Sequence, residues 1–124
     1  MIEIGLTHTS MLIVEEPLTA MNIGSGNLPV LATPAMVALM ENAAMMAIAD
    51  RLPENCTTVG GFITSSHLRP SKLGTKVAAV ATVIAIDGKR VEFSVKAYQD
   101  DILIGEGSHI RYIVDKDIFM SKIN

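Results

Sequence analysis

The chain has 124 residues, a formal net charge of −3 and 49% hydrophobic residues, with no tryptophan. This length suits one domain over residues 1–124, with a core of aliphatic and methionine side chains. The acidic balance without a basic cluster excludes a nucleic-acid-binding protein, and the single Cys56 excludes an intrachain disulfide.

The sequence shows no targeting or membrane-spanning segment. Met1 to Gly5 lack the basic region and apolar run of a secretory signal. No apolar stretch of about 20 residues is free of charge. We therefore expect a cytoplasmic protein that contacts no membrane. So much aliphatic surface in so short a chain also favours a partner subunit.

The first predicted strand covers residues 6–14 and ends at Glu15-Glu16-Pro17. Residues 15–30 are predicted to form a loop, with Gly24-Ser25-Gly26-Asn27 as its most flexible part. The next segment, residues 31–51, predicts the element around which the chain is organised.

That segment predicts one long helix that is apolar on nearly every side. Thr33 suits the N-cap and Pro34 the first helical position. From Ala35 to Ala49 the only polar residues are Glu41 and Asn42. Since a helix that is apolar all round is normally enclosed by other elements, we expect a sheet to wrap it.

Four further strands are predicted after the helix: residues 57–68, 75–86, 90–99 and 102–114. Gly60-Gly61 indicates a bulge in the first of these strands, and Asp87-Gly88 predicts a hairpin between the second and third. Residues 115–124 form a charged tail. The order of strand, long helix and a four-strand meander predicts an α+β hot dog fold, a curved antiparallel sheet of about five strands around one long central helix.

The helix and the strand after it carry three residues suited to catalysis. Glu41 is a carboxylate in an apolar helix, which is costly unless the group is paired or used. His67 follows two serines and is a suitable general base, although by residue type alone an exposed or hydrogen-bonded histidine at a strand end is the more common case. Thr33 offers a hydroxyl, unless that hydroxyl caps the helix.

The spacing of two of these residues limits how they act together. Thr33 and Glu41 are eight residues apart on one helix, which corresponds to about 12 Å along its axis. Two short side chains cannot close that distance. Either the substrate bridges them, or each site takes one residue from each of two subunits, which is the arrangement we favour.

Other residues suit substrate binding. A glycine N–H at Gly60 is a candidate oxyanion donor, as is the helix N-terminus at Pro34 to Met36. Arg111 alternates onto the same strand face as His109, where an ion pair and a substrate role are both plausible. The three histidines lack the spacing of a metal site, and no cofactor motif is present.

Two small basic groups are candidates for the phosphates of a nucleotide-bearing substrate, although such groups are often only solvated turns. One consists of Arg69, Lys72 and Lys76, and the other of Lys89 and Arg90.

Several motifs also fall into register with those of a known family. They are Ala32-Thr33-Pro34-Ala35-Met36-Val37-Ala38-Leu39-Met40-Glu41, then Gly60, then His67 with Pro70 and Gly74, then Gly107-Ser108-His109-Ile110-Arg111. Over residues 30–114 the chain resembles the fluoroacetyl-CoA thioesterase-like group of hot dog thioesterases. The resemblance implies a homodimer that hydrolyses acyl-CoA thioesters at its subunit interface, with coenzyme A as part of the substrate and no other cofactor.

By this resemblance Thr33, Glu41 and His67 take the catalytic positions. Gly60 takes a backbone contact to the substrate, and Arg111 a substrate-side or structural position. The specialised fluoroacetyl members close a small acyl pocket with aromatic side chains ahead of the threonine, whereas here no aromatic residue precedes Phe62. This departure argues against fluoroacetyl specificity and leaves thioester hydrolysis as the expected reaction.

Two other functions remain open at this point. One is a hot dog hydratase or dehydratase that moves a proton at the acyl β-carbon. The other is a non-catalytic acyl-CoA or small-ligand binding protein. A tetramer of two dimers is also compatible with the fold.

Overall fold

Five strands and three helices make up the chain, and the computed structural model describes every residue from Met1 to Asn124. The strands are β1 Thr7–Ile13, β2 Cys56–His67, β3 Lys76–Asp87, β4 Arg90–Gln99 and β5 Ile102–Asp115. The helices are α1 Ala20–Ile23, α2 Thr33–Ile48 and α3 Lys116–Ser121, and a 3₁₀ turn over Ala49–Arg51 extends α2. No helix is long and apolar enough to cross a membrane.

All five strands form one antiparallel sheet in the order β1-β3-β4-β5-β2. The predicted meander is therefore correct for β3, β4 and β5 and wrong for β2. Because β1 hydrogen-bonds to one edge of β3, β2 pairs instead with the free edge of β5. This sheet around one central helix confirms the predicted α+β hot dog architecture.

The core lies between the sheet and one side of α2. The strict alternation of β4 is confirmed, since Val91, Phe93, Val95 and Ala97 are all fully buried. They meet the inner face of α2, whose buried residues include Met36, Met40, Ala43, Ala44 and Ile48. Each large aliphatic or aromatic side chain buried in this way contributes about 1.5–3 kcal/mol to folding.

The helix α2 is not enclosed on every side, contrary to expectation. Pro34, Ala38 and Met46 lie exposed along one row of the helix, with the exposed Asn42 between the last two, and Met46 keeps 42% of its surface exposed. One five-stranded sheet covers only one side of a helix, so an apolar stripe stays open. Glu41 borders this stripe and lies beside β2, whose outer edge has no partner strand.

The start of α2 is displaced by one residue from the prediction. Ala32 is the N-cap, with an extended backbone at φ −69° and ψ 139°, and Thr33 is the first helical residue. The Thr33 hydroxyl makes no capping hydrogen bond. It is therefore free for another partner.

The predicted loop at residues 15–30 is partly helical, because Thr19 caps α1 by accepting a hydrogen bond from the Asn22 N–H.

The predicted bulge in β2 is confirmed, since the register shifts between Gly60 and Phe62. The turn between β3 and β4 is centred one residue later than predicted, at Gly88 (φ +61°) and Lys89. The charged tail contains α3, capped by Asp115.

Candidate active site

Thr33 and His67 form a hydrogen-bonded pair within one chain. The Thr33 Oγ1 lies 2.8 Å from the His67 Nδ1. Thr33 is exposed at the first turn of α2, and His67 is the half-buried last residue of β2. A hydroxyl and an imidazole at this distance have the geometry of a nucleophile and its general base.

This pair lines an open cleft of about 320 Å³. The cleft lies between the start of α2, the end of β2 and the segment around α1. Its lining residues are Ala20, Ser25, Val30, Leu31, Thr33, His67, Leu68, Arg69 and Pro70. No aromatic ring is among them, and the small Ala20 and Ser25 come from α1 and the loop after it.

The surroundings of His67 favour its neutral form. Burial lowers its pKa below the usual 6.5, and the backbone of Arg69 opposes this effect to a smaller extent. When Nδ1 accepts the Thr33 O–H, the single proton of the neutral ring lies on Nε2, which is buried and has no hydrogen-bond partner in the chain. A neutral ring whose Nδ1 accepts the Thr33 O–H is in the state required of a base.

A second polar centre lies beside Gly60, at the bulge of β2. A Cβ at Gly60 would lie 3.1 Å from Glu41 Oε2, 3.2 Å from His109 Cε1 and 3.5 Å from Arg111 Nη1. The three side chains thus face the same small space above the glycine. Glu41 and Arg111 do not touch, because the only ion pair within 4.0 Å joins Arg90 and Glu92. A side chain at position 60 would crowd Glu41 and His109, so the glycine allows these side chains to approach the backbone of the bulge.

Arg111 is 7% exposed and is fixed by three hydrogen bonds. Its Nε donates to Thr58 Oγ1 at 2.8 Å, its Nη2 to the Thr58 carbonyl at 2.9 Å, and its Nη1 contacts His109 Nε2 at 3.1 Å. Burial lowers the pKa of Arg111, and the charge of Glu41 opposes this shift. An arginine stays protonated under such conditions, so the centre places one cation beside one carboxylate.

Sequence reasoning placed His109 on the face of Arg111 and gave it no role. The structure shows it 1% exposed, with its Nδ1 2.8 Å from the Phe62 carbonyl. Burial is the main cause that lowers the pKa of His109, and Arg111 adds to it, while the Phe62 carbonyl and Glu41 act in the opposite direction. The sequence signal that could have identified His109 is its position two residues before Arg111, which places both side chains on the inward face of the same strand.

The five predicted site residues therefore lie in two separate places. Thr33 and His67 meet at the cleft, and Glu41, Gly60 and Arg111 meet at the bulge of β2. The two centres are about eight helical residues, or roughly 12 Å, apart along α2. Within one chain, Glu41 makes no hydrogen bond to either member of the first pair.

The backbone N–H groups at the start of α2, which were predicted as oxyanion donors, are mostly engaged in hydrogen bonds within the chain. The N–H groups of Ala35 and Met36 both donate to the Ala32 carbonyl, and Pro34 has no N–H. Thr33 alone keeps an N–H without a backbone partner in this turn. The positive end of the helix dipole still faces the cleft. Of the two basic groups, only the first reaches this region, through Arg69.

Comparison with known proteins agrees with this fold. The chain superposes on the structure of the fluoroacetyl-CoA thioesterase FlK with a TM-score of 0.91 and 26% identity, over 98% of this chain and 95% of that one. A thioesterase superfamily member from Thermus thermophilus gives a TM-score of 0.90 at 28% identity, over 98% and 90% of the two chains. These likenesses define the protein as a hot dog thioesterase.

The family follows from the sequence. The profile of the fluoroacetyl-CoA-specific thioesterase FlK matches residues 14–117. The fluoroacetyl-CoA thioesterase of Streptantibioticus cattleyicolor is 31% identical over 94 residues, which are 76% of this chain and 68% of the relative. The chain belongs to the FlK family of thioesterases, as the resemblance read from its motifs indicated.

Proposed function

We propose that this protein is an acyl-CoA thioesterase that hydrolyses its substrate to a carboxylic acid and free CoA at a homodimer interface. The observation that carries the proposal is the Thr33–His67 hydrogen bond in an open cleft of an FlK-family chain. Structures of FlK variants have been solved with acetyl-CoA and with fluoroacetate and CoA. Their ligands support a CoA thioester as the substrate class here.

The open surfaces of the chain support the dimer. The outer edge of β2 has no partner strand, and the open side of α2 meets β2 at Glu41, which lies beside Gly60. Two copies of β2 that pair antiparallel about a two-fold axis near Ile63 and Thr64 bring Gly60 of each chain opposite residue 67 of the other. This pairing joins Glu41 and Arg111 of one chain to Thr33 and His67 of its partner, and closes the separation seen within one chain.

The proposed reaction has two halves. The Thr33 oxygen attacks the thioester carbonyl while His67 Nδ1 takes the hydroxyl proton, and the oxyanion is stabilised by the backbone at Gly60 and the Arg111 charge. The C–S bond breaks, CoA leaves as a thiol with the proton from His67, and Thr33 carries the acyl group as an ester. Glu41 then takes a proton from water, whose oxygen attacks this ester; the bond to Thr33 breaks, the proton passes from Glu41 to the Thr33 oxygen, and the acid and the Thr33 hydroxyl are released.

The test of the function is release of free thiol from a panel of acyl-CoA thioesters. The panel includes acetyl-, fluoroacetyl-, butyryl- and hexanoyl-CoA, because no aromatic ring closes the cleft. We expect thiol release well above spontaneous hydrolysis, without a preference confined to the fluoroacetyl group. Hydration of crotonyl-CoA without thiol release identifies a hydratase, and tight binding without turnover identifies a binding protein. Either result contradicts the proposal.

The pH dependence of the first half of the reaction, in which Thr33 attacks the thioester, follows from the protonation state of His67. The base must be neutral, and burial lowers its pKa, so kcat/KM is expected to rise with pH with a midpoint below 6.5. The H67A variant should lose this rise together with most of its activity. The matched variant H8A, altered on the far edge strand β1, should keep the wild-type profile. An unchanged profile in H67A assigns the titration to another group.

A further inference from the structure

We propose that His109 is a positioning residue for the hydrolysis, because it holds the Arg111 guanidinium toward the space above Gly60 where Glu41 also points. The inference rests on the function proposed above and adds a residue to its machinery. His109 itself acts through Arg111 and not on the substrate.

The hydrogen bonds of the ring fix its proton. The Phe62 carbonyl only accepts hydrogen bonds, so Nδ1, 2.8 Å away, must carry the ring N–H. In the neutral ring Nε2 then has a free lone pair, and it lies 3.1 Å from the Arg111 Nη1 donor. The Phe62 contact requires a proton on Nδ1 and the Arg111 contact requires an unprotonated Nε2, so the two contacts together require an uncharged ring. The lowered pKa of His109 agrees with this state.

The direction of the guanidinium depends on this acceptor. Thr58 binds the Nε and Nη2 side of Arg111 through its hydroxyl and its carbonyl. His109 is the partner of Nη1, which is the guanidinium atom nearest to the space above Gly60. Without His109, one edge of a buried guanidinium loses its acceptor, and the group is free to turn away from Glu41.

The ring is also tied to the bulge of β2. Phe62 is the residue at which regular pairing with β5 resumes after Gly60. His109 therefore connects the backbone beside the bulge to the guanidinium above it. The Phe93 ring lies against its other side at a centroid distance of 6.1 Å and limits its movement.

Two substitutions separate the two hydrogen bonds. An asparagine side chain places its amide N–H near the position of the ring Nδ1, so H109N keeps the Phe62 contact and loses the acceptor for Arg111. A glutamine places its amide oxygen near the position of Nε2, so H109Q keeps the Arg111 contact. We expect kcat to fall about tenfold or more in H109N with KM within about threefold of wild type, and to be largely rescued in H109Q.

Both variants are assayed well below their melting temperatures, with H8Q as the matched control. Equal losses in H109N and H109Q, or a loss only in H109Q, overturn the proposal, because the Arg111 contact is then not what matters. Wild-type kcat in H109N does the same. Absence of thioesterase activity in the wild-type chain, by contrast, removes the proposed function first and is seen before any variant is made.

The native protein gives a test that needs no folded variant. In a long-range ¹H–¹⁵N spectrum at neutral pH, we expect His109 to show a protonated Nδ1 and an unprotonated Nε2. The opposite tautomer, or a doubly protonated ring, rules out acceptance from Arg111 and overturns the proposal.

Discussion

The E41Q variant is expected to lose about 10²- to 10⁴-fold in kcat while it remains folded and assembled. Glutamine has the shape of glutamate and cannot take a proton from water. Glu41 is half-buried beside Gly60, and no ion pair in the fold depends on its charge. The substitution therefore removes chemistry and leaves packing unchanged. Steady-state thiol release and the melting temperature measure the two effects separately.

The proposed sequence of steps adds a covalent signature to this result. If Glu41 acts in the second half of the reaction, which is hydrolysis of the acyl ester on Thr33, the E41Q variant still forms this ester and cannot hydrolyse it. Mass spectrometry of E41Q mixed with substrate should then show one added acyl group on Thr33. The control E54Q, altered in the exposed turn before β2, should turn over normally without this adduct. Unreduced kcat in E41Q removes Glu41 from the mechanism, and a fall without adduct moves it to the first half.

The long elements of this fold were predictable because their signals are local. The alternation in β4 depends only on neighbouring residues, and it gave both the strand bounds and the four buried side chains. The partner of β2 was not predictable in the same way. Pairing with β5 depends on which sheet edge remains open after β1 has joined β3, and this is a property of the whole sheet.

The candidate site, too, was predictable where the signals are local and not where they depend on the whole fold. Its place in an apolar helix singled out Glu41, the family resemblance added Thr33 and His67, and the distance argument on one helix separated Thr33 from Glu41. The one-residue shift at the start of α2 was not visible, because it depends on the backbone angles of Ala32. This shift decides that the Thr33 hydroxyl binds His67 instead of capping the helix. His109 was passed over because its contact to Phe62 requires β2 and β5 to be paired.

The open stripe of α2 links the fold to the proposed site. A helix that is apolar on nearly every side was expected to be wrapped within one chain, yet the sheet covers only its inner face. The uncovered side carries Thr33 near its start and is bordered by Glu41, which lies beside Gly60 of β2. A second copy of the chain is the simplest cover for this surface, because one two-fold contact buries the stripe and completes two sites.

Shared sites make a definite prediction for heterodimers purified by two different affinity tags. A dimer of one T33A chain and one E41Q chain should have about half of wild-type activity, because one of its two sites takes Thr33 and Glu41 from the unaltered positions of each chain. A dimer of a T33A/E41Q chain with a wild-type chain should be inactive, because each site then contains one substitution. Sites confined to single chains give the opposite pattern, with no activity in the first dimer and half in the second. A chain that sediments as a monomer and still hydrolyses thioesters contradicts the shared site directly.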